Sequence, residues 1–146
     1  MIVTKADAEA LMESVYDAWN VPDIPRMLRH FCDDLVFIEQ TGEGGEHYRV
    51  YNGSAALGDY LKSYLDVADV PAHIEFLTFD GIYIRTVIAF TMIDRLDGHT
   101  YTGTFRQVIQ LRGDRISRLE TFHDVATATA FWRMLERRGI SPSMSD

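Results

Sequence analysis

Cysteine is almost absent from this chain, which has a single one, Cys32, among its 146 residues. One cysteine excludes an internal disulfide and the Cys-rich patterns that hold structural zinc. We therefore expect a protein of the reducing cytoplasm. Cys32 is interpreted as a small apolar residue within a helix rather than as a nucleophile, because a buried thiol packs like any small hydrophobic side chain.

Basic residues and long apolar runs are also scarce. The 14 lysines and arginines are outnumbered by 22 aspartates and glutamates, for a net charge of -8. That charge argues against a nucleic-acid surface, because a phosphate backbone requires a basic partner. No apolar run approaches the roughly 18 residues that cross a membrane, and we expect neither a membrane partner nor a signal peptide. Repeats and linkers are lacking too, so residues 1–146 are expected to form a single domain.

Motifs for metals and cofactors are missing as well. The five histidines show no paired ligand spacing, such as two histidines four residues apart on a helix. Serine triads, glycine-rich phosphate loops and dinucleotide fingerprints are also absent. We therefore expect no metal and no cofactor.

The first half of the chain has mainly helical periodicity. Apolar side chains recur at helical spacing from about Asp7 to Asn20, which predicts a first helix. A shorter second helix is predicted over "VPDIPRMLRHFCDD", with Asp23 as its cap. The stretch "LVFIEQ" is typical of a strand, because it is rich in β-branched and aromatic residues. Ser54 is predicted to cap a third helix that has an apolar stripe along one side.

The second half changes to strand periodicity. Three turn signals separate four runs of strand composition: Asp80-Gly81, Asp97-Gly98 and Gly113-Asp114. This pattern predicts four consecutive antiparallel strands and then a closing helix, which Asp124 caps. The chain is therefore expected to have an α+β fold, with helices on one face of a curved antiparallel sheet. The open end of such a sheet is a natural pocket for a small molecule.

Three stretches carry a family likeness: "YDAWNVPDIPRMLRHFCDDLVFIE", "YNGSAALGDYL" and "GDRISRLETFHD". From about residue 7 to residue 135 the chain resembles the nuclear transport factor 2-like superfamily, which includes ketosteroid isomerases, limonene epoxide hydrolases and SnoaL-like polyketide cyclases. The resemblance implies a conical α+β barrel, in which a curved antiparallel sheet wraps on three N-terminal helices and a C-terminal helix. It also implies a conical pocket and homodimers that form through the outer face of the sheet. Enzymes, binders and transport adaptors all use this fold, so the resemblance alone does not predict a reaction.

The segment "RISRLETFHD" ends in a histidine and an aspartate that together suggest a catalytic pair. Successive side chains of a strand point to opposite faces, so His123 and Asp124 cannot form a dyad while the strand is regular. Asp124 is assigned to the helix cap, and His123 is either a catalytic pocket residue or a hydrogen-bonded histidine at a strand end. Leu119 and Thr121 share the face of His123 and are predicted to contact a ligand. The resemblance places Thr121 where the cyclases and epoxide hydrolases carry an aspartate.

Glu39 is the strongest carboxylate candidate, because it stands in an otherwise apolar strand. The ketosteroid isomerase-like pattern carries its general base at this position, although Glu39 can also be a structural partner of Arg106 or of a backbone group. The same resemblance puts Arg106 at the position of the isomerases' oxyanion-hole acid. Strand parity leaves both orientations of Arg106 open. Facing inward it would stabilise an oxyanion, and facing outward it would be a solvated cation.

Further pocket residues are predicted on the first helix and on the strand of Arg106. Tyr16 lies one residue from the position of the isomerases' tyrosine, where the alignment puts Val15, so a core role is the alternative. Trp19 and Val108 are also predicted to contact a ligand.

Two classes of function fit these residues. The first is a cofactor-independent isomerase, cyclase or dehydratase that acts by acid/base chemistry on a small hydrophobic carbonyl compound. Glu39 would move the proton, and Arg106 or His123 would stabilise the developing negative charge. The second is a non-catalytic protein of the same fold that binds a small ligand or acts as a dimeric accessory protein. The first is favoured if the three ionisable groups face one cavity.

Overall fold

The computed structural model describes residues 1–41 and 47–137. This part of the chain forms, in order, α1 (Lys5–Asn20), α2 (Ile24–Leu28), β1 (Phe31–Thr41), β2 (His47–Asn52), α3 (Ser54–Leu65), β3 (Ala68–Asp69), β4 (Ala72–Phe79), β5 (Tyr83–Asp94), β6 (Thr100–Arg112), β7 (Arg115–His123) and α4 (Val125–Arg137). The order of helices and strands predicted from the sequence is therefore observed, with the short strands β2 and β3 added. Among the helices of these residues, none has both the length and the apolar character needed to cross a membrane.

The first two helices begin at side-chain caps. Helix α1 starts at Lys5 rather than near Asp7, because Thr4 and Asp7 form a capping box. The Asp7 amide donates to the Thr4 hydroxyl at 3.1 Å, and the Thr4 amide donates to the Asp7 carboxylate at 3.0 Å. Helix α2 begins as predicted, since the Asp23 carboxylate accepts a hydrogen bond from the Arg26 amide at 3.1 Å. Each cap satisfies amides that the first helical turn leaves without partners.

The cap predicted for the third helix was wrong. Helix α3 starts at Ser54 itself, and Gly53 occupies the N-cap position without a side-chain hydrogen bond. Gly53 has a φ of 94°, and a Cβ on it would lie 3.3 Å from the carbonyl oxygen of Asp33. A glycine suits this backbone because it has no Cβ to strain or clash. The sharp turn from β2 into α3 therefore depends on Gly53 rather than on Ser54.

The four-strand meander is confirmed. Strands β4, β5, β6 and β7 pair in sequence order, each antiparallel to the next. Strands β5 and β6 have 12 and 13 residues, and strands of this length coil as they twist. The sheet therefore curls, and its concave face encloses a space.

The complete sheet is mixed, which corrects the expectation of a wholly antiparallel one. Strand β1 pairs in parallel with β7 on one side and antiparallel with β2 on the other. The strand order is β2-β1-β7-β6-β5-β3, and β4 also pairs with β5. A parallel pair requires a long connection, and here α3 and the strands β2 to β6 supply it. The first long strand and the last therefore lie side by side.

The core lies on the concave face of the sheet. Along β1, the side chains of Leu35, Phe37, Glu39 and Thr41 are buried, and those between them are less so. Helix α1 buries Met12, among others, against this face. Cys32 is a buried free thiol, but it lies in β1, so its predicted location in a helix was wrong. Helix α2 ends at Leu28, four residues before Cys32, and β1 has already begun at Phe31.

Candidate functional site

A cavity lies between the concave face of the sheet and the helices. Its wall is mainly apolar and includes seven aromatic side chains from α1, α3 and the sheet: Tyr16, Trp19, Phe37, Tyr60, Tyr64, Phe90 and Phe105. The cavity volume is about 120 Å³. A cavity of about 150 Å³ binds a molecule of the size of benzene, so this cavity suits a small ligand.

Glu39 provides the carboxylate of the cavity. Strand alternation turns it toward the helices, and only 8% of the residue is exposed. The hydroxyl group of Tyr60, on α3, donates a hydrogen bond to Oε2 of Glu39 at 2.5 Å. Nε2 of His123 lies 3.5 Å from the same oxygen. A buried carboxylate needs such polar partners, because desolvation of its charge is otherwise costly.

The parallel pairing of β1 with β7 brings Glu39 and His123 together. Glu39 pairs with Thr121 in this ladder, and Thr41 pairs with His123. His123 lies two residues after Thr121 in β7, so both side chains point to the same face of the sheet, toward Glu39. The predicted pocket residues Leu119, Thr121 and His123 all line the cavity.

Two half-buried tyrosines next to Glu39 remain protonated at neutral pH. Burial raises the pKa of Tyr60 and of Tyr64 well above the usual value of 10, and the negative charge of Glu39 raises both further. Their rings meet edge to face, with centroids 5.0 Å apart. Both hydroxyl groups can therefore act as hydrogen-bond donors near the carboxylate.

His123 and Asp124 have separate roles, as strand parity predicted. The Asp124 carboxylate accepts a hydrogen bond from the Thr127 amide at 2.7 Å and so caps α4. That backbone hydrogen bond is the main cause that lowers the pKa of Asp124. The imidazole of His123 instead packs beside Phe105, with ring centroids 5.1 Å apart. Its Nδ1 atom is buried and has no hydrogen-bond partner among the described residues.

The predicted residues of α1 also line the cavity, with their polar atoms bound to the protein. The Tyr16 hydroxyl donates to Oε1 of Gln107 at 2.9 Å, and burial raises the pKa of Tyr16 well above 10. The indole nitrogen of Trp19 donates to the Val70 carbonyl at 2.6 Å. Tyr16 and Trp19 therefore offer a ligand mainly the apolar parts of their rings.

Arg106 and Val108 lie outside the cavity, which decides between the two orientations left open for Arg106 and corrects the prediction that Val108 contacts a ligand. Strand β6 turns Phe105 and Gln107 toward the helices, so its alternate residues face the other side of the sheet. Arg106 is exposed there, with its guanidinium carbon 6.0 Å from the centroid of the Phe122 ring. A guanidinium group inside an apolar cavity would need a buried counterion, whereas on the outer face water solvates it.

Sequence reasoning missed two polar contacts of the site. The apolar stripe on α3 predicted the position of Tyr60 but not the hydrogen bond from its hydroxyl to Glu39. Gln107 is the second polar group that was missed. It shares a strand face with Phe105, and a polar residue on an otherwise apolar face could have indicated it. The Glu39 and His123 side chains have the chemistry of metal ligands, but no group of three such residues forms a cluster in the described part of the chain.

Comparisons with known proteins show a likeness at the level of structure. No protein-family model matches the sequence, and no curated protein matches it. An NTF2-like protein of unknown function from Burkholderia pseudomallei K96243 has 14% identity and a TM-score of 0.72, covering 86% of this chain and 96% of that one. A putative polyketide cyclase from Xanthomonas campestris pv. campestris has 19% identity and a TM-score of 0.66, with the same coverage of 86% and 96%. An LEH-like epoxide hydrolase from M. tuberculosis has 17% identity and a TM-score of 0.69, covering 92% and 96%.

These identities are low, so the likeness shows the fold alone. It confirms the resemblance seen in the sequence: the chain has the α+β fold of nuclear transport factor 2-like proteins. The similar structures include proteins described as enzymes, with different activities.

Proposed function

We propose that this chain, with its nuclear transport factor 2-like fold, is a cofactor-independent enzyme of the isomerase, cyclase or dehydratase type. Its substrate would be a small hydrophobic carbonyl compound. The observation that carries the proposal is the Glu39 carboxylate, buried in an apolar cavity in contact with Tyr60 and His123. Buried carboxylates in ligand cavities are a recurrent form of general base.

Glu39 would remove a proton from the carbon next to the substrate carbonyl. Tyr60 and His123 both contact Oε2 of Glu39, so Oε1 is the oxygen that, among the described residues, is placed to accept that proton. The proton would then return to another atom of the substrate, or assist the departure of water. His123, which contacts Oε2 rather than Oε1, would replace Arg106 as the polar group beside the developing charge. The protonated Tyr60 hydroxyl would keep Glu39 oriented throughout.

Proton removal can be measured without knowledge of the natural substrate. The protein is incubated in deuterated water with a panel of small apolar ketones, and loss of the protons next to the carbonyl is followed by NMR. We expect exchange with the parent chain and a decrease of at least about 100-fold with Glu39→Gln, the typical contribution of a general base. Glu120→Gln is the matched control, because Glu120 is a carboxylate of the neighbouring strand that bonds with Gln40 instead.

Equal exchange rates for Glu39→Gln and the parent chain would exclude Glu39 as the base. A non-catalytic ligand-binding protein is the second candidate, because the Glu39 carboxylate already has protein partners that stabilise it without any reaction. Ketones that bind to the parent chain but show no exchange would favour this second candidate.

We also propose that the chain forms a homodimer through the outer face of its sheet. On β2, the strand at one end of the sheet, Val50 is 45% exposed and Tyr48 is 54% exposed. Val50 stands opposite Ile38 in the ladder, so the two side chains share the outer face. Val108 and Phe122, on β6 and β7, are half-buried residues of the same face. Exposed apolar side chains on an open sheet face are typical of a surface that a partner covers.

A further inference from the structure

The charge of the cavity wall indicates which ligands it accepts. Glu39 is the acidic residue of the wall, and no lysine or arginine is present among its described residues. Arg106 lies on the opposite face of the sheet. Arg49 stands opposite Glu39 in the ladder of β1 with β2, but it does not line the cavity, and its side chain hydrogen bonds with Tyr51. An anionic ligand would therefore meet a carboxylate and no basic side chain in the wall.

His123 does not offer an anionic ligand a donor of its own. Its Nε2 lies 3.5 Å from Oε2 of Glu39, so this nitrogen is directed at the carboxylate. Its Nδ1 is buried and has no hydrogen-bond partner among the described residues, so a ligand in the cavity does not reach it. The Glu39 carboxylate is therefore the polar group of this pair that a ligand meets.

The rest of the wall suits the organic part of a cation. Aromatic rings attract cations through their negative faces, most strongly when water is excluded. Trp19, Tyr60 and Phe105 come from three different elements and place such rings around the cavity. The carboxylate also has an oxygen for a ligand, because no described residue donates a hydrogen bond to Oε1 of Glu39.

We infer that the cavity binds small hydrophobic amines in their protonated form, and that it discriminates against carboxylates of the same shape. The ammonium group donates to Oε1 of Glu39, and the apolar part of the amine packs against the aromatic rings. This ligand class does not depend on any turnover. An amine bound at Glu39 blocks the proposed general base, so it also inhibits the proposed proton exchange.

Three ligands of matched shape test the inference: N,N-dimethylbenzylamine is the cation, 2-phenylacetamide is uncharged, and phenylacetate is the anion. Their affinities for the full chain are measured by isothermal titration calorimetry at neutral pH. We expect the amine to bind at least about tenfold more tightly than phenylacetate, as a charge-assisted hydrogen bond predicts, with the amide between them. Phenylacetate binding as tightly as the amine would overturn the inference, since it would mean that Arg49 or His123 determines the charge preference.

Glu39→Gln is expected to abolish the preference for the amine over phenylacetate, and Glu120→Gln is expected to retain it. Circular dichroism verifies that both variants fold. A preference that survives in folded Glu39→Gln would contradict the inference, and the parent chain alone remains a test if that variant does not fold. Amine binding without proton exchange would leave this inference intact and reject the proposed enzyme. Proton exchange in a chain that binds the amine and phenylacetate equally well would support the proposed enzyme and reject this inference.

Discussion

At the scale of the residue, two neighbouring positions of β6 have opposite environments, one buried and one exposed. Gln107 faces the cavity and bonds with Tyr16, whereas Arg106 is exposed on the other side of the sheet. The difference follows from desolvation, because an amide is satisfied by a few hydrogen bonds and a buried guanidinium needs a counterion. Glu39 is the exception that suggests function. Its burial is compensated by Tyr60 and His123, which would also hold the carboxylate in place during the proposed reaction.

The buried and half-buried tyrosines predict a loss of stability in alkaline solution. Burial raises the pKa of Tyr16, Tyr60 and Tyr64 in the folded chain above the usual value of 10. Above about pH 10 the unfolded chain therefore releases these protons while the folded chain retains them. Below that pH the three tyrosines cause no loss of stability. Above it, each of them lowers the free energy of unfolding by up to about 1.4 kcal/mol per pH unit. Urea unfolding near pH 8 and near pH 11 measures the loss.

Tyr16→Phe serves as the control for that experiment, because it removes one of the three titrating groups and keeps the ring. The free energy of unfolding of this variant should fall less steeply between the two pH values than that of the parent chain. Identical slopes for the two chains would contradict the assignment of a raised pKa to Tyr16.

At the scale of the element, the boundary between β7 and α4 separates the site from the scaffold. His123 ends the strand and lines the cavity, and Asp124 immediately caps the helix. Helix α4 brings Thr127 and Ala128 to the cavity wall, so the cap also positions part of the site. Thr127 is close to Tyr101 of β6, with 3.3 Å between the two hydroxyl oxygens. The beginning of α4 is thus held both at its cap and against the sheet.

Replacement of the cap should affect stability rather than chemistry. Asp124→Ala is expected to lower the free energy of unfolding by about 1 kcal/mol, because the Thr127 amide loses its acceptor. Asp124→Asn retains an acceptor oxygen, so it should lower the free energy of unfolding by only a few tenths of that amount. Urea denaturation measures both effects. Asp124→Asn should keep the rate of proton exchange of the parent chain, and a large loss of rate in that variant would revive the His123–Asp124 dyad.

At the scale of the whole molecule, the site depends on the pairing of two strands distant in the sequence. Strand β7 closes the meander, and its parallel ladder with β1 places His123 within reach of Glu39. Helix α3 then covers this pair and contributes Tyr60. The same curled sheet presents its other face outward, with Val50 and Val108 among the residues there. One sheet thus supplies a cavity on its concave face and, on its convex face, the surface that we propose for the dimer.

The proposed dimer predicts a doubled mass in solution. Sedimentation equilibrium of the parent chain should give about twice the 16.7 kDa of one chain. Val108→Glu should shift the mass toward that of the monomer, because it buries two related charges in a two-fold interface. Ala10→Glu adds the same charge on an exposed position of α1 and should leave the mass unchanged. A monomeric parent chain, or a dimer unaffected by Val108→Glu, would contradict this interface.

The sequence by itself determined the features that depend on short-range physics. The Asp23 and Asp124 caps, the turns of the meander and the separation of His123 from Asp124 require only neighbouring residues, and the structure has all of them. The Ser54 cap failed because the backbone at Gly53 turns sharply where β2 passes into α3.

Tertiary structure alone decided the composition of the site. Parity separates Arg106 from Gln107, but it does not say which of them faces the helices. That choice depends on the register of β6 with β5 and β7 and on which side chains can be desolvated. The contact of Glu39 with His123 depends on the parallel ladder of β1 and β7, and the contact with Tyr60 on the packing of α3. These pairings are long-range, so no local pattern of residues encodes them.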